Sequence, residues 1–277
     1  MELLFLGTAA AEGYPAIFCN CGSCKRARLA GDKNIRFRTS IQLGEKYKID
    51  FPPDSYMQML RFNLDFHSLR HLFVTHIHED HFAVSELKWH VEPFAYFEKN
   101  EILTIYGNES VMDKFNSLKE KFDESLKFML LHPYREYFID NEIVCIPIIA
   151  AHADDQGGCY NYIIKRNNTV ILAGFDTGWY PDKTWDFLYS KILRLDIVIF
   201  DATTQNVDIG DKPYGHMGFR NLIMIKNEMQ KFGIISEDTK FIATHFSHNG
   251  GMLHEEMVKF LSPYNIIPAY DGLSLEI

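Results

Sequence analysis

The chain has 277 residues, of which 47% are hydrophobic and 23% charged, and its formal net charge is −9 at pH 7. This length allows a large core within one domain, and the composition is that of an ordinary globular protein. No apolar run approaches the roughly 20 residues that cross a bilayer, and the acidic balance argues against a general nucleic-acid binder. Residues 1–7 contain an acid and no basic region. We therefore expect a first strand there, no signal peptide, and a cytoplasmic protein.

Strand-like and helical segments alternate along the sequence, which predicts an α/β fold. Strands are expected at short apolar runs, namely residues 3–6, 72–75, 102–106, 143–149, 160–164, 170–173, 197–200 and 241–244. Helices are expected between several of these strands, at about residues 86–97, 110–122, 185–193, 219–232 and 255–261. No internal repeat, low-complexity tract or linker interrupts the sequence, so we expect a single domain over residues 1–277.

The most informative segment is residues 75–81, Thr-His-Ile-His-Glu-Asp-His, which directly follows an expected strand. Its three imidazoles and one of its carboxylates are ligand types that suit zinc, manganese and iron. Because side chains alternate along an extended chain, His76 and His78 point the same way and can bind one metal. Asp80 and His81 are adjacent, and a helix beginning after them would direct both at a neighbouring point. This motif therefore predicts half of a two-metal site.

Further candidate ligands follow other expected strands. His152, Asp176, Asp201 and His245 each come directly after the C-terminal end of an apolar run. Binding sites in α/β folds assemble at this edge of the sheet. The repeated coincidence indicates that these side chains converge with His76 on one site.

Through residues 76–81, His152, Asp176 and His245, in this order, the sequence resembles the metallo-β-lactamase superfamily. The resemblance implies a four-layer αβ/βα sandwich with two mixed β-sheets and a pair of divalent metal ions, zinc, manganese or iron, at one edge. It implies that one metal is bound by His76, His78 and His152. The other would be bound by Asp80, His81 and His245, and Asp176 would bridge the two. The metals would share a hydroxide that attacks the substrate. Asp50 and Asp201 would support the ligating histidines, with solvated acids or turn formers as the alternative.

His216 lies in the glycine-flanked loop Gly215-His216-Met217-Gly218, ahead of an expected helix. In the phosphodiesterase and ribonuclease Z families that the sequence resembles, a histidine at this place faces the substrate. We therefore predict that His216 protonates the leaving oxygen, with a helix-capping or surface histidine as the alternative. Asp80 is predicted to be a catalytic residue as well as a ligand.

A second metal site is predicted by the segment Cys19-Asn20-Cys21-Gly22-Ser23-Cys24. Three thiolates in a short loop are typical of a structural zinc site. His248, three residues after His245, is the predicted fourth ligand, and His254 is the second choice. Free thiols or a redox pair are the alternatives. Residues 19–24 would then form a zinc-binding loop within the domain.

The cysteine loop together with the intact histidine motif makes the sequence similar to the phosphodiesterases of the carbon–phosphorus lyase pathway. This resemblance implies a metal-dependent hydrolase that opens a small cyclic phosphodiester, such as 5-phosphoribosyl 1,2-cyclic phosphate, and it suggests a homodimer. One alternative is a transfer-RNA 3′-processing endonuclease of the ribonuclease Z type, which the acidic charge disfavours. Another is an accessory protein similar to the pyrroloquinoline-quinone biosynthesis B protein. Neither a membrane nor nucleic acid is expected as a partner.

Overall fold

The computed structural model describes residues 1–97, 101–122 and 124–277, and these residues form two seven-stranded sheets. The first sheet contains, from edge to edge, β14 (Ser274–Glu276), β1 (Glu2–Gly7), β2 (Ser40–Leu43), β3 (Tyr47–Ile49), β4 (His71–Phe73), β5 (Leu103–Gly107) and β6 (Leu126–Leu130). The second contains β13 (Ile266–Pro268), β12 (Lys240–Thr244), β11 (Ile197–Asp201), β10 (Thr169–Gly174), β9 (Tyr160–Arg166), β8 (Ile143–Ile149) and β7 (Tyr137–Ile139). Both sheets are mixed: the strands from β3 to β6 and from β10 to β13 pair in parallel, and the others pair antiparallel.

Six α-helices accompany the sheets in the described residues: α1 (Gly22–Ala30), α2 (Ser55–Phe62), α3 (Glu109–Asn116), α4 (Asp182–Lys191), α5 (Phe219–Lys231) and α6 (His254–Leu261). Helix α5 shows why these segments are helical. Phe219, Leu222, Ile225 and Met229 recur every three or four residues, and all four are buried. They form the apolar stripe that packs a helix onto a sheet.

Three apolar clusters bind the layers together. One lies between the two sheets and joins Phe5 and Phe73 of the first to Ile199 and Ile242 of the second. The outer face of the second sheet packs against α4, α5 and α6, and that of the first sheet packs against α3. Strand β11 is buried at all five positions, as expected for a strand covered on both faces. The predicted four-layer αβ/βα sandwich with two mixed sheets is therefore confirmed.

The predicted strands are all present, with ends within two residues of the prediction. The helix predicted for residues 110–122 is shorter, because α3 ends at Asn116, and one predicted helix is wrong. Instead of a helix over residues 86–97, the structure has a 3-10 helix at Val84–Trp89 followed by turns. Pro93 accounts for the difference, because proline has no N–H to donate and disfavours helical geometry in the residue before it. Helices α1 and α2 and six short strands (β2, β3, β6, β7, β13 and β14) were not predicted. None of the helices in the described residues is long and apolar enough to cross a membrane.

Lys48 is a buried cation on β3. Its Nζ lies within hydrogen-bond distance of Ser40 Oγ and 3.4 Å from Gln58 Oε1, near the rings of Phe51 and Phe66. Both acceptors are neutral, so no direct ion pair offsets the loss of hydration. Burial lowers the pKa of Lys48 to about 7. The lysine is therefore a destabilising group whose cost depends on pH.

We predict that Lys48→Met stabilises the protein by about 1–4 kcal/mol, and more at pH 6.5 than at pH 9.5. In the unfolded chain lysine has a pKa of about 10.4. Between about pH 10.4 and pH 7, Lys48 is therefore protonated in the unfolded wild type and neutral in the folded protein. The stability of the wild type should therefore fall as the pH falls through this window, whereas the variant lacks this dependence.

Urea unfolding of both proteins at the two pH values measures the effect. Lys240→Met, at an exposed position of β12, is the matched control and should change little. A Lys48→Met protein that is less stable than the wild type at both pH values would contradict the prediction.

Candidate metal centre

The predicted ligands converge where strands of both sheets end. The segment 75–81 follows β4 of the first sheet, and β8, β10 and β12 of the second lead into His152, Asp176 and His245. His76, His81, Asp176 and His245 are almost completely buried, and His78 is partly exposed. The two sheets therefore each contribute ligands to one shared edge.

These side chains form two groups that share one carboxylate. The ligand atoms within each group lie within 4.8 Å of one another, and the groups are His76, His78, His152 and Asp176, and Asp80, His81, Asp176 and His245. We call them the first and the second cluster. They coincide with the two ligand sets that the family resemblance implied.

Asp176 turns one oxygen to each cluster. Its Oδ2 lies 3.8 Å from His76 Nε2 and 3.6 Å from His152 Nε2 in the first cluster. Its Oδ1 lies 3.1 Å from His81 Nε2 and 3.0 Å from His245 Nε2 in the second. This is the arrangement of a carboxylate that can bridge two cations.

The hydrogen bonding shows that the clusters fit metal ions. Among the described residues, the buried atoms that make no hydrogen bond include His76 Nε2, His81 Nε2, His245 Nε2 and Asp176 Oδ1; the last three lie close together but without the angles of a hydrogen bond. An unpaired buried polar atom costs about 1–3 kcal/mol, and these four converge on the same space. Imidazole nitrogens and carboxylate oxygens together suit zinc, manganese or iron. A pair of divalent cations would satisfy all four atoms at once.

The charges at the site compensate one another when no cation is bound. Although burial opposes ionisation, His245 and His81 hold the pKa of Asp176 well below its ordinary value. Conversely, against the effect of burial, Asp176 and Asp80 raise the pKa of His245 to about 10. Burial, followed by repulsion from His81, instead lowers the pKa of His76 well below its ordinary value. Protons and metal ions therefore compete for the second cluster.

Three residues of the site have left-handed backbone conformations. The φ angles are 63° at Asp50, 43° at Asp176 and 60° at His245. Non-glycine residues in this region cost on the order of 1–3 kcal/mol and persist only where the surrounding structure imposes them. The fold thus imposes backbone strain at three residues whose side chains form or support the two clusters.

Four of the five candidate ligating histidines are held from behind through Nδ1, whereas Nδ1 of the fifth, His78, lies 3.3 Å from Nε2 of His152. His81 Nδ1 lies 2.6 Å from Asp50 Oδ2, and His152 Nδ1 lies 3.0 Å from the carbonyl oxygen of Gly215. Asp50 therefore occupies the supporting position predicted for it. Such contacts leave Nε2 as the nitrogen directed into the clusters.

Asp201 supports a different histidine from those predicted. Its Oδ2 lies 2.6 Å from Nδ1 of His216, and it reaches the ligand His245 only through the hydroxyl of Thr203. The ring of His216 lies 4.8 Å from that of His152 and 5.5 Å from that of His245, measured between centroids. Although burial opposes it, Asp201 raises the pKa of His216. His216 therefore borders both clusters as a histidine that can hold a proton.

The cysteines of the predicted zinc loop also come together. The ligand atoms of Cys19, Cys21, Cys24 and His248 lie within 4.8 Å of one another at the beginning of α1. Hydrogen bonding from Ser23, then from the Cys24 backbone and His248, lowers the pKa of the Cys21 thiol to about 5, which favours the thiolate that binds zinc.

Of the two histidines considered as the fourth ligand, His248 is the one at the cysteines. Its Nδ1 lies 3.5 Å from Cys21 Sγ, and its Nε2 lies 3.6 Å from a carboxylate oxygen of Glu12. His254 was the second choice, and its Nδ1 instead lies 3.2 Å from Nη2 of the buried Arg36. Glu12 and Thr203 were not predicted, since only proximity in the fold relates them to a candidate ligand. Thr75 was not predicted either: it stands next to His76 in the sequence, but only the fold shows that its hydroxyl contacts the imidazole.

Comparisons with known proteins identify the fold. No family model matches the chain. A ribonuclease Z from Azobacteroides pseudotrichonymphae genomovar. CFP2 is 33% identical over 93 residues, which span 33% of this chain and 31% of that protein. A diphosphatase from the PhnP family has a solved structure that is 24% identical, with a TM-score of 0.74, and the alignment covers 100% of this chain and 97% of that one.

Two further solved structures align over nearly the whole chain. Zn(2+)-bound PqqB from Methylobacterium extorquens is 16% identical, with a TM-score of 0.78 and 100% of both chains covered. The metallo-beta-lactamase fold protein YhfI from Bacillus subtilis is 15% identical, with a TM-score of 0.70 and 99% of both chains covered. The chain therefore has the metallo-β-lactamase fold, and the predicted resemblance to that superfamily is confirmed.

We predict that Asp176→Ala weakens metal binding at both clusters by at least about 100-fold, since the bridging group is lost. Metal at the cysteine site should be retained, because Asp176 takes no part in it. Elemental analysis after dialysis against a weak chelator measures the metal content. Asp155→Ala, which removes an exposed acid, is the control. Equal metal content in the Asp176→Ala protein and the wild type would exclude a bridging role.

Proposed function

We propose that the protein is a metal-dependent hydrolase that opens a small cyclic phosphodiester, such as 5-phosphoribosyl 1,2-cyclic phosphate. The observation that carries the proposal is the pair of clusters that share Asp176, with His216 beside both of them. The fold shared with a diphosphatase from the PhnP family supports chemistry at phosphorus.

The side chains of the two clusters would hold the catalytic cations, and Asp176 would fix the distance between them. Two such cations, when bound, would lower the pKa of a water molecule and offset negative charge on the phosphoryl group. The partial exposure of His78 leaves the first cluster open on the side where a substrate would enter. We further propose that Cys19, Cys21, Cys24 and His248 hold a structural zinc.

His216 is proposed to protonate the leaving oxygen. Because Asp201 Oδ2 lies 2.6 Å from its Nδ1, Nε2 is the nitrogen that remains to exchange a proton with a substrate. The buried carboxylate stabilises the protonated imidazole, and about a third of the His216 side chain is exposed (34%). A proton held at Nε2 can therefore reach an oxygen bound between His216 and the clusters.

An RNA-processing activity is the second candidate, and the sequence match to a ribonuclease Z favours it. The formal net charge of −9 argues against it, because RNA is bound mainly through its phosphates. An accessory role, which the likeness to PqqB raises, is disfavoured because all seven candidate ligands are present and converge.

We predict that His216→Ala lowers kcat by about 10²–10⁴-fold while the metal content stays at the wild-type level. The reason is that His216 belongs to neither cluster but would supply the proton for the leaving group. Steady-state kinetics and elemental analysis of the same preparations test this. His132→Ala, at an exposed histidine, is the control. A kcat near that of the wild type would remove the proposed role.

The substrate class is tested with a panel of compounds in the presence of manganese or zinc. It contains 5-phosphoribosyl 1,2-cyclic phosphate, a 2′,3′-cyclic nucleotide, a bis-aryl phosphodiester, a lactone and a precursor transfer RNA. We expect the highest kcat/KM for the ribose 1,2-cyclic phosphate. Cleavage of the precursor RNA alone, with a steep dependence on salt, would contradict the proposal and support the RNA-processing alternative.

A further inference from the structure

Two buried carboxylates behind the site, Asp50 and Asp201, have partners of the same types, namely a threonine and a histidine. Asp50 Oδ1 accepts a hydrogen bond from the backbone N–H of Thr75 at 2.8 Å, and the Thr75 hydroxyl donates to the same carboxylate at 2.9 Å. The other oxygen of Asp50 lies 2.6 Å from Nδ1 of His81. One carboxylate thus holds a threonine and a histidine.

Asp201 repeats this pattern in the second sheet. Its Oδ1 accepts from the backbone N–H of Thr203 at 2.8 Å and from the Thr203 hydroxyl at 2.7 Å. Its Oδ2 lies 2.6 Å from Nδ1 of His216. The same module, an acid with a threonine and a directly bound histidine, therefore stands behind each side of the metal centre.

In each module the threonine oxygen also contacts a second histidine. Thr75 Oγ1 lies 3.0 Å from Nδ1 of His76, and Thr203 Oγ1 lies 2.8 Å from Nδ1 of His245. A hydroxyl has a single proton, and in both threonines the carboxylate takes it. The oxygen can then only accept, so Nδ1 of His76 and of His245 must carry the proton.

In the neutral imidazole, the form that binds a metal ion, this proton assignment leaves a lone pair on Nε2 of both histidines. Those two Nε2 atoms are among the buried atoms without a hydrogen-bond partner, and each faces a different cluster. A histidine binds a metal through the nitrogen that carries no proton. The direction in which each threonine hydroxyl donates its proton thus determines whether Nε2 of one histidine is free to bind a metal ion.

We propose that Thr75 and Thr203 are positioning residues, each of which fixes the tautomer and the ring orientation of one metal ligand through its hydroxyl. Thr75 acts on His76 of the first cluster, and Thr203 acts on His245 of the second. The proposal rests on the proposed metal-dependent function, since it concerns the same two clusters. It assigns the two threonines to different metals, and this makes it testable one cluster at a time.

Thr203→Val keeps the shape of the side chain and removes the hydroxyl. We expect it to weaken binding of the metal at the second cluster by about 10–100-fold, since supporting partners of ligating histidines contribute this much. Thr203→Ser keeps the hydroxyl and should restore an affinity within about threefold of the wild type. Thr203→Ala removes the same hydroxyl without a branched side chain, so it replaces Thr203→Val if the valine variant does not fold.

The control is Thr204→Val, which removes the neighbouring hydroxyl that donates to the Met217 carbonyl and does not touch a ligand. Zinc titration of the metal-depleted proteins against a chromophoric chelator measures each affinity, and circular dichroism verifies the fold. Thr75→Val, measured in parallel, should weaken the first cluster more than the second, because Thr75 Oγ1 lies 3.0 Å from Nδ1 of His76 and 3.4 Å from that of His81.

The outcomes separate the two proposals. A wild type that binds no zinc at the clusters overturns the proposed function and this inference with it. A wild type that binds zinc, together with Thr203→Val and Thr203→Ala proteins that bind it equally well, overturns the inference alone. A Thr203→Ser protein as weak as Thr203→Val would also overturn it, because the hydroxyl would then not be the group that matters.

Discussion

The carboxylate of Asp176 lies among four imidazoles at the edge that both sheets share. A buried charge must be paired, and here the pairing extends from His76 and His152 on one side to His81 and His245 on the other. Asp176 has a left-handed backbone conformation, and its carboxylate turns one oxygen to each side. Both clusters meet at this single buried group, which two cations would share.

The two sheets contribute similar halves of the site, which face each other. Each sheet has three parallel and three antiparallel strand pairs, and each ends at the site in an acid and a threonine that hold two histidines. The halves differ in what the directly held histidine does: His81 faces the second cluster, whereas His216 stands outside both. The cysteine loop, residues 19–24, is joined to this centre through residues 245–248, which carry His245 at one end and His248 at the other.

The sequence predicted which side chains converge at the site because their signals are local: closely spaced histidines in residues 76–81, and single polar residues after apolar strands. The partner of Asp201 could not be predicted, since His216 is fifteen residues away and meets it only in the folded chain. Thr75 and Thr203 carry no signal of their own, because a threonine at a strand end is ordinary. Helix α1 was missed because it begins within the cysteine segment, where Cys21 caps the helix by accepting from the Cys24 N–H.

Anomalous diffraction at the zinc absorption edge, from crystals of the zinc-loaded protein, tests the central claim most directly. The account predicts two peaks about 3.5–4 Å apart on either side of Asp176, and a third among the cysteines and His248. A single peak at the cysteines, with none beside Asp176, would contradict it.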